Sequence, residues 1–187
     1  MEEEARFCED MAKEKMDKAI RHLEDELIHV RAGKATPAIL DGIQVDYYGA
    51  LTPLAQVSNV GTPDAKTIVV QPWDKNMLQT IEKAILYANI GLTPMNNGEI
   101  IRLNIPPLTE ERRKNLVKQV KQMGENTKIS IRNARRDANE ELKKLLKNGL
   151  PEDIEKEASE KIQQMTDDYI KKIDVVVAAK EKDIMTV

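Results

Sequence analysis

The chain has 187 residues, of which 33% are charged and 3% aromatic, and a formal net charge of −3. Its single cysteine, Cys8, excludes an intramolecular disulfide, and no apolar run approaches the roughly 18 to 20 residues that a membrane span needs. Because the N-terminus is acidic where a leader peptide would be basic, we expect a cytoplasmic protein that does not engage a membrane. The composition is typical of long amphipathic helices.

The first predicted element is a helix close to the N-terminus. Its apolar side chains recur at steps of three and four residues, as a single helical stripe requires. The stripe consists of Cys8, Ala12, Met16, Ile20, Leu23, Leu27 and Val30. We expect the helix to end near residues 31–33, because Gly33 can adopt the left-handed conformation that closes a helix.

The next segment, residues 36–107, differs in character, since it holds seven of the eight prolines, several short β-branched runs and few charges. Residues 43–47, 66–71 and 100–105 are predicted strands, and a helix over 75–90 is predicted between the last two. The side chains of Tyr47, Tyr48 and Trp73 are expected to supply core or strand-edge packing, with base stacking as the alternative. This segment therefore predicts a separate small domain.

Two long helices are predicted after this domain. Thr109 can cap the first of them, which runs to Asn148, and Gly149 can stop it. Pro151 suits the first position of the last helix. The apolar stripe of the earlier helix is Val117, Val120, Gly124, Thr127, Ile131, Ala134, Ala138, Leu142 and Leu145. The stripe of the last helix is Ile154, Ala158, Ile162, Met165, Tyr169, Ile173 and Val176.

Three apolar stripes in one chain can bury one another, which predicts a monomer. The expected fold is α+β: an elongated three-helix bundle of residues 1–31 and 107–187, with a small, β-rich α/β domain of residues 32–106 inserted between its first and second helices. Two segments of chain connect these domains, and one of them contains a glycine. We therefore expect a hinge there. Its residues would be Arg31, Ala32, Gly33, Pro106 and Pro107.

Positive charge is concentrated on the second bundle helix. Residues 109–149 hold twelve Lys and Arg against six Asp and Glu, whereas residues 1–32 and 151–187 each hold six against ten. A polar, largely basic stripe runs beside the apolar one, through Lys114, Lys118, Lys121, Glu125, Lys128, Arg132, Arg135 and Asn139. It is either a solvated face paired with the acidic helices or a surface that contacts phosphates.

The run Arg132, Asn133, Ala134, Arg135, Arg136 favours phosphate contact, because three arginines in five residues supply planar guanidinium groups that suit phosphates and bases. Lys121, Lys128 and Asn133 complete the predicted RNA-binding set.

Sites of other kinds are not predicted. No nucleophile stands with a base and no glycine-rich phosphate loop occurs, so we expect neither a catalytic residue nor a cofactor. His22, Glu26 and His29 share one helix face, but no fourth ligand accompanies them, so no metal site is predicted.

Eight segments together resemble the ribosome recycling factor family, and they follow the family's order and spacing along nearly the whole chain. They are RAGKATP at 31–37, LDGI at 40–43, VDYYG at 45–49, TPL at 52–54, EKAI at 82–85, GLTP at 91–94, PPLTEERRK at 106–114 and RNARRDAN at 132–139.

The resemblance implies a protein that binds the large ribosomal subunit of the post-termination complex and its ribosomal RNA. It implies Arg132, Arg135 and Arg136 as the main RNA contacts. It also implies that elongation factor G pushes the inserted domain about the hinge, and that GTP hydrolysis by that partner helps to split the ribosome into subunits. Two alternatives stay open: a coiled-coil adaptor whose stripes bind helices of other proteins, and an RNA chaperone that uses the basic helix alone.

Overall fold

The structure is a computed structural model that describes residues 1–30 and 32–186; the predicted hinge residue Arg31 lies outside them. The helices are α1 (Glu2–Ile28), α2 (Leu78–Tyr87), α3 (Glu110–Lys147) and α4 (Glu152–Met185). The strands are β1 (Gln44–Tyr47), β2 (Ala50–Pro53), β3 (Ser58–Asp64), β4 (Thr67–Pro72), β5 (Pro94–Asn96) and β6 (Ile101–Asn104). The fold is α+β, as expected, and it divides into two compact units, Met1–Val30 with Arg113–Val187, and Arg31–Arg112.

The predicted stripe is buried throughout, from Cys8 to Leu27 in α1 and at Val30 just beyond it, and Ala5 is buried as well. The predicted end of this helix is wrong, because α1 ends at Ile28 and His29 forms its C-terminal cap with right-handed backbone angles. Gly33 does adopt a positive φ of 75°, but it does so five residues beyond the helix. The left-handed conformation of Gly33 therefore belongs to the connecting segment, and it does not form the end of α1.

Helix α3 begins as predicted, because the Thr109 hydroxyl accepts a hydrogen bond from the Arg112 backbone N–H at 3.1 Å. Its buried face matches the predicted stripe, except that Leu116 is buried in place of Val117 and Leu145 is only half-buried. Two buried hydroxyls, those of Thr127 in α3 and Thr166 in α4, donate to the carbonyl oxygens four residues before them. These bonds satisfy both buried hydroxyls.

Close approach of α3 and α4 depends on Gly124. A Cβ atom placed on this residue would lie 2.7 Å from Cγ2 of Val177, shorter than any normal contact. On the other side of the bundle, the Tyr169 hydroxyl of α4 donates to the Asp17 carboxylate of α1. Burial, together with this hydrogen bond, raises the pKa of Tyr169 to about 12.

The second unit has a four-stranded antiparallel sheet in the order β3-β4-β6-β5, and a separate hairpin of β1 and β2. The predicted strands correspond to β1, β4 and β6, whereas β2, β3 and β5 were not predicted. The predicted helix is shorter than expected, because Lys75–Met77 form a 3-10 turn before α2. Ile68, Val70, Ile101 and Leu103 from the sheet pack with Ile81 and Ile85 of α2 in one core.

Most aromatic side chains of this unit lie outside that core. Tyr48 is 71% exposed and Trp73 is 63% exposed, while Tyr47 stacks edge-on against Tyr48. The Tyr48 hydroxyl donates to the Asp74 carboxylate at 2.5 Å. The expectation was core or strand-edge packing, and its core half is therefore wrong, because these side chains lie at the surface. Tyr47 and Tyr48 contact each other at the end of β1. No helix in the described part of the chain is long and apolar enough to cross a membrane.

Candidate nucleic-acid interface

Helix α3 carries the predicted RNA-binding residues, and its environment divides them into two groups. Lys128 and Arg135 lie beside α4 and contact it, whereas Arg132, Asn133 and Arg136 are exposed to solvent. Each residue of an α-helix is rotated by about 100° around the axis from the one before it, so side chains that are close in sequence can face different surroundings. The predicted basic stripe is thus not one uniform surface.

Lys128 is held inside the bundle unit. Its Nζ lies 2.6 Å from Asp174 Oδ1 of α4 and 3.3 Å from Glu125 Oε1, and only 16% of its side chain is exposed. The hydrogen bond to Asp174 is the main cause that raises the pKa of Lys128, which favours its charged form. This lysine therefore links α3 to α4.

Arg135 and Lys121 lie near the same helix junction. Arg135 is half-buried, and its Nη1 donates to Gln163 Oε1 of α4 at 3.3 Å. Lys121 is exposed and lines the crevice between α3 and α4 together with Asp174 and Glu181. Both cations therefore lie at the edge of the solvent-exposed surface of α3, next to α4.

Arg132, Asn133 and Arg136 are exposed to solvent. Within residues 1–30 and 32–186, neither arginine has a hydrogen-bond or ion-pair partner. Since an arginine offers five N–H donors in a planar array, two unpaired guanidinium groups one turn apart form a surface that suits phosphate groups. We call Arg132, Asn133 and Arg136, with the surface around them, the arginine face.

Three further lysines extend the arginine face along the helix. Lys118, Lys143 and Lys147 are all exposed and lie within roughly 40° of Arg136 around the axis, at about 100° per residue. The prediction did not include Lys143 and Lys147, and it placed Lys118 in a stripe with Lys128. Counting helical positions from the buried residue Ile131 would have separated these two groups.

No alternative chemistry stands out in the described residues. His22 Nδ1 lies 2.7 Å from Glu26 Oε1, and His29 Nδ1 lies 2.7 Å from its neighbour Asp25's carbonyl oxygen. The described part of the chain contains no group of three or more His, Cys, Asp or Glu residues placed to hold a metal ion. The Cys8 thiol is buried in the bundle, and this burial, together with the negative charges of nearby glutamates, raises its pKa.

The predicted hinge residues are partly described. Ala32 and Gly33 are half-buried, and Pro106 and Pro107 are exposed. Within their own unit, the two connecting segments touch, because a Cβ atom on Gly33 would lie 2.9 Å from Cγ of Leu108. A side chain at position 33 would thus be strained both by the positive φ and by this contact.

Comparisons with known proteins give one consistent result. The family profile described as ribosome recycling factor matches residues 23–185. A ribosome-recycling factor from Flavobacterium johnsoniae is 57% identical over 187 residues, which is the full length of both chains.

Two solved structures agree with this. The solution structure of a ribosome recycling factor superimposes with a TM-score of 0.83 at 38% identity, over 98% of each chain. The T. thermophilus ribosome recycling factor, described together with E. coli elongation factor G bound to the E. coli post-termination complex, gives a TM-score of 0.65 at 45% identity, over 97% of this chain and 99% of that one. Identity over the full length, together with the shared fold, leads to one conclusion: the chain belongs to the ribosome recycling factor family.

Proposed function

We propose that this protein binds the large ribosomal subunit of the post-termination complex and, with elongation factor G, splits the ribosome into subunits. GTP is hydrolysed by elongation factor G, so the protein needs no nucleotide or other cofactor of its own and acts without catalysis. Its family membership supports this role, as does the related recycling factor described with elongation factor G on the post-termination complex. The protein would act in the cytoplasm, where ribosomes release mRNA after termination.

The observation that carries the proposal is the pair of exposed arginines on α3. Arg132 and Arg136 present charged donors at the surface of an otherwise acidic bundle, in which α1 and α4 begin with acidic first turns. RNA is the partner that matches this arrangement, because its phosphates accept the bidentate bonds that guanidinium groups donate. Arg132, Asn133 and Arg136 would form the centre of the contact, with Lys121, Lys128 and Arg135 along its margin.

We further infer a division of labour along the chain. Residues 1–31 and 107–187 would hold the ribosome, and the inserted residues 32–106 would receive the push of elongation factor G. Movement would occur at residues 31–33 and at Pro106 and Pro107. The positive φ of Gly33 supports this role, since glycine tolerates backbone angles that other residues avoid.

Subunit splitting tests the proposal directly. Post-termination ribosomes are incubated with elongation factor G and GTP, and dissociation into subunits is followed by light scattering with and without the protein. We expect splitting with the wild-type chain and loss of splitting when Arg132→Glu is combined with Arg136→Glu. A matched control reverses two exposed lysines of α4, Lys171→Glu with Lys172→Glu. Equal loss of splitting in this control would contradict a specific role for the arginine face.

A deletion separates binding from splitting. A chain that joins Val30 to Arg113 by a short Gly/Ser linker removes the whole second unit. We expect it to bind large subunits without splitting ribosomes, because the part that receives the push is gone. Normal splitting by this chain would contradict the mechanism. Binding to RNA of any kind, without splitting by the intact protein, would support an RNA chaperone instead.

A further inference from the structure

Ile129 is an exposed apolar residue within the arginine face. It precedes Arg132 by three residues, Asn133 by four and Arg136 by seven, so all four side chains leave α3 on one side. Its side chain is 53% exposed. A single exposed isoleucine is ordinary on a protein surface, and exposure alone would carry no conclusion. Its surroundings distinguish it.

The charges around Ile129 indicate what covers it. Arg132 and Arg136 follow it along the helix, and Lys118 lies three turns before it on the same side. Two carboxylates lie on this side: Glu125, whose Oε1 lies 3.3 Å from Lys128 Nζ, and Glu140, three turns after Ile129. The cations Arg132, Arg136 and Lys118 therefore outnumber them. A protein partner with an apolar site for Ile129 would also need acidic groups for these cations. An RNA supplies the anionic phosphates along its whole backbone.

RNA also offers a surface for the apolar side chain itself. The minor groove of an RNA helix is wide and shallow, and it displays ribose groups and base edges between its two phosphate backbones. When arginines bind the phosphates, an aliphatic group that leaves the helix beside them faces the ribose carbons. Contact there removes apolar surface from water, which is favourable without any further charge.

We propose that Ile129 is an RNA-contact residue, whose side chain packs against ribose and base-edge surface beside the phosphate bound by Arg132, about one turn before it on the same side of α3. This inference rests on the proposed function, since it places Ile129 inside the RNA interface of α3. The arginines hold the RNA by charge, and Ile129 adds a contact that depends on shape and excludes water.

The salt dependence of binding distinguishes an apolar contact from a phosphate contact. Affinity for isolated large subunits is measured by pelleting at several salt concentrations for the intact chain and its variants. We expect Ile129→Ala to weaken binding about fivefold at every salt concentration, with an unchanged slope of log affinity against log salt. By contrast, Arg132→Ala reduces that slope by about one. Ile129→Val should retain nearly full affinity.

Val175 provides the matched control. It is an exposed β-branched residue of α4, 68% exposed, and Val175→Ala should leave affinity unchanged. Because alanine favours helix at both positions, circular dichroism should show intact helices in each variant. Binding by Ile129→Ala that equals wild type, or a change in its salt slope, would overturn the proposal.

A cross-link identifies the class of partner. Benzoylphenylalanine at position 129 is expected to cross-link to RNA on irradiation in the large-subunit complex, whereas the same group at position 175 is not. A cross-link from position 129 to protein would overturn the proposal. Failure of the whole RNA interface can be told apart from failure of the role of Ile129. If the interface itself were wrong, the combined reversal Arg132→Glu with Arg136→Glu would leave binding intact. If that reversal abolishes binding while Ile129→Ala has no effect, the interface stands and only the role of Ile129 is wrong.

Discussion

Two pairs of cations on the same helix have different surroundings in this structure. Lys128 and Arg135 contact α4 through Asp174 and Gln163, whereas Arg132 and Arg136 extend into solvent. The residues are close in sequence and alike in charge. The difference shows that the sign and spacing of charges on a long helix do not by themselves define a binding surface. What matters is whether the folded chain already supplies a hydrogen-bond or ion-pair partner for the cation.

The largest effect is expected for the exposed pair. Arg132→Glu combined with Arg136→Glu should weaken binding to large subunits by about 100-fold or more, because two attractive contacts with phosphates become repulsive. The melting temperature should change by less than about 2 °C, since neither side chain has a partner within the described chain. Pelleting and thermal denaturation measure the two quantities. A large loss of stability would contradict the distinction between the pairs.

The next effect concerns the packing beneath the partnered pair. Gly124→Ala should destabilise the protein by about 2 kcal/mol, because the new methyl group would lie 2.7 Å from Val177 Cγ2. This cost exceeds the gain of about 1 kcal/mol that alanine brings to a helix interior. Urea unfolding gives the free energy. Adding Val177→Ala should restore part of the lost stability, and equal losses in the single and double variants would show that the contact is not the cause.

A smaller effect is expected at Lys128. Lys128→Met should lower the free energy of unfolding by about 1 kcal/mol, because it leaves Asp174 without its cation while Asp174 stays partly solvated. Binding to large subunits should change less than about twofold, because Lys128 stands at the margin of the proposed contact and its charge is already paired with Asp174. Lys118→Met, at an exposed site about 80° around α3 from Lys128, is the control and should show the reverse pattern.

The charge of Lys128 also predicts a dependence on pH. Its pKa is raised in the folded chain above the ordinary 10.5, mainly by the hydrogen bond to Asp174. The stabilisation is therefore complete below the unfolded-state pKa and is lost as the pH rises through the folded-state pKa. The difference in unfolding free energy between wild type and Lys128→Met should shrink as the pH rises above 10.5. If the difference in unfolding free energy stays constant above that pH, the stabilisation by Lys128 comes from packing of its aliphatic side chain and not from its charge.

The smallest effect is expected at Arg135, which stands between the two groups. Its bond to Gln163 is exposed, so Arg135→Ala should change stability by less than about 0.5 kcal/mol. Affinity for large subunits should fall less than about threefold, well below the effect of Arg132→Ala. A larger loss of affinity would move Arg135 from the margin of the interface to its centre.

Much of the fold follows from the sequence, because long stripes such as the one from Cys8 to Val30 specify one buried side of a helix. The short strands β2, β3 and β5 were not predicted, since β3 contains Gly61 and Pro63 and β5 begins with Pro94, which are signals of turns. Pairing with neighbouring strands overrides those local preferences. Similarly, the run from Arg132 to Arg136 identified the candidate interface. The partner of Lys128 lies 46 residues away in α4, and no local pattern could reveal it.

The contact between Asp17 and Tyr169 has a consequence for how the protein is made. These two residues are 152 positions apart, and they join α1 to α4 at opposite ends of the chain. The core of the second unit lies between Leu40 and Ile105, so it can assemble while the chain is still being synthesised. Helix α1 emerges first, yet its apolar side stays uncovered on the α4 side until α4 has emerged. A nascent chain of this protein therefore exposes its earliest helix to chaperones and proteases for most of its synthesis.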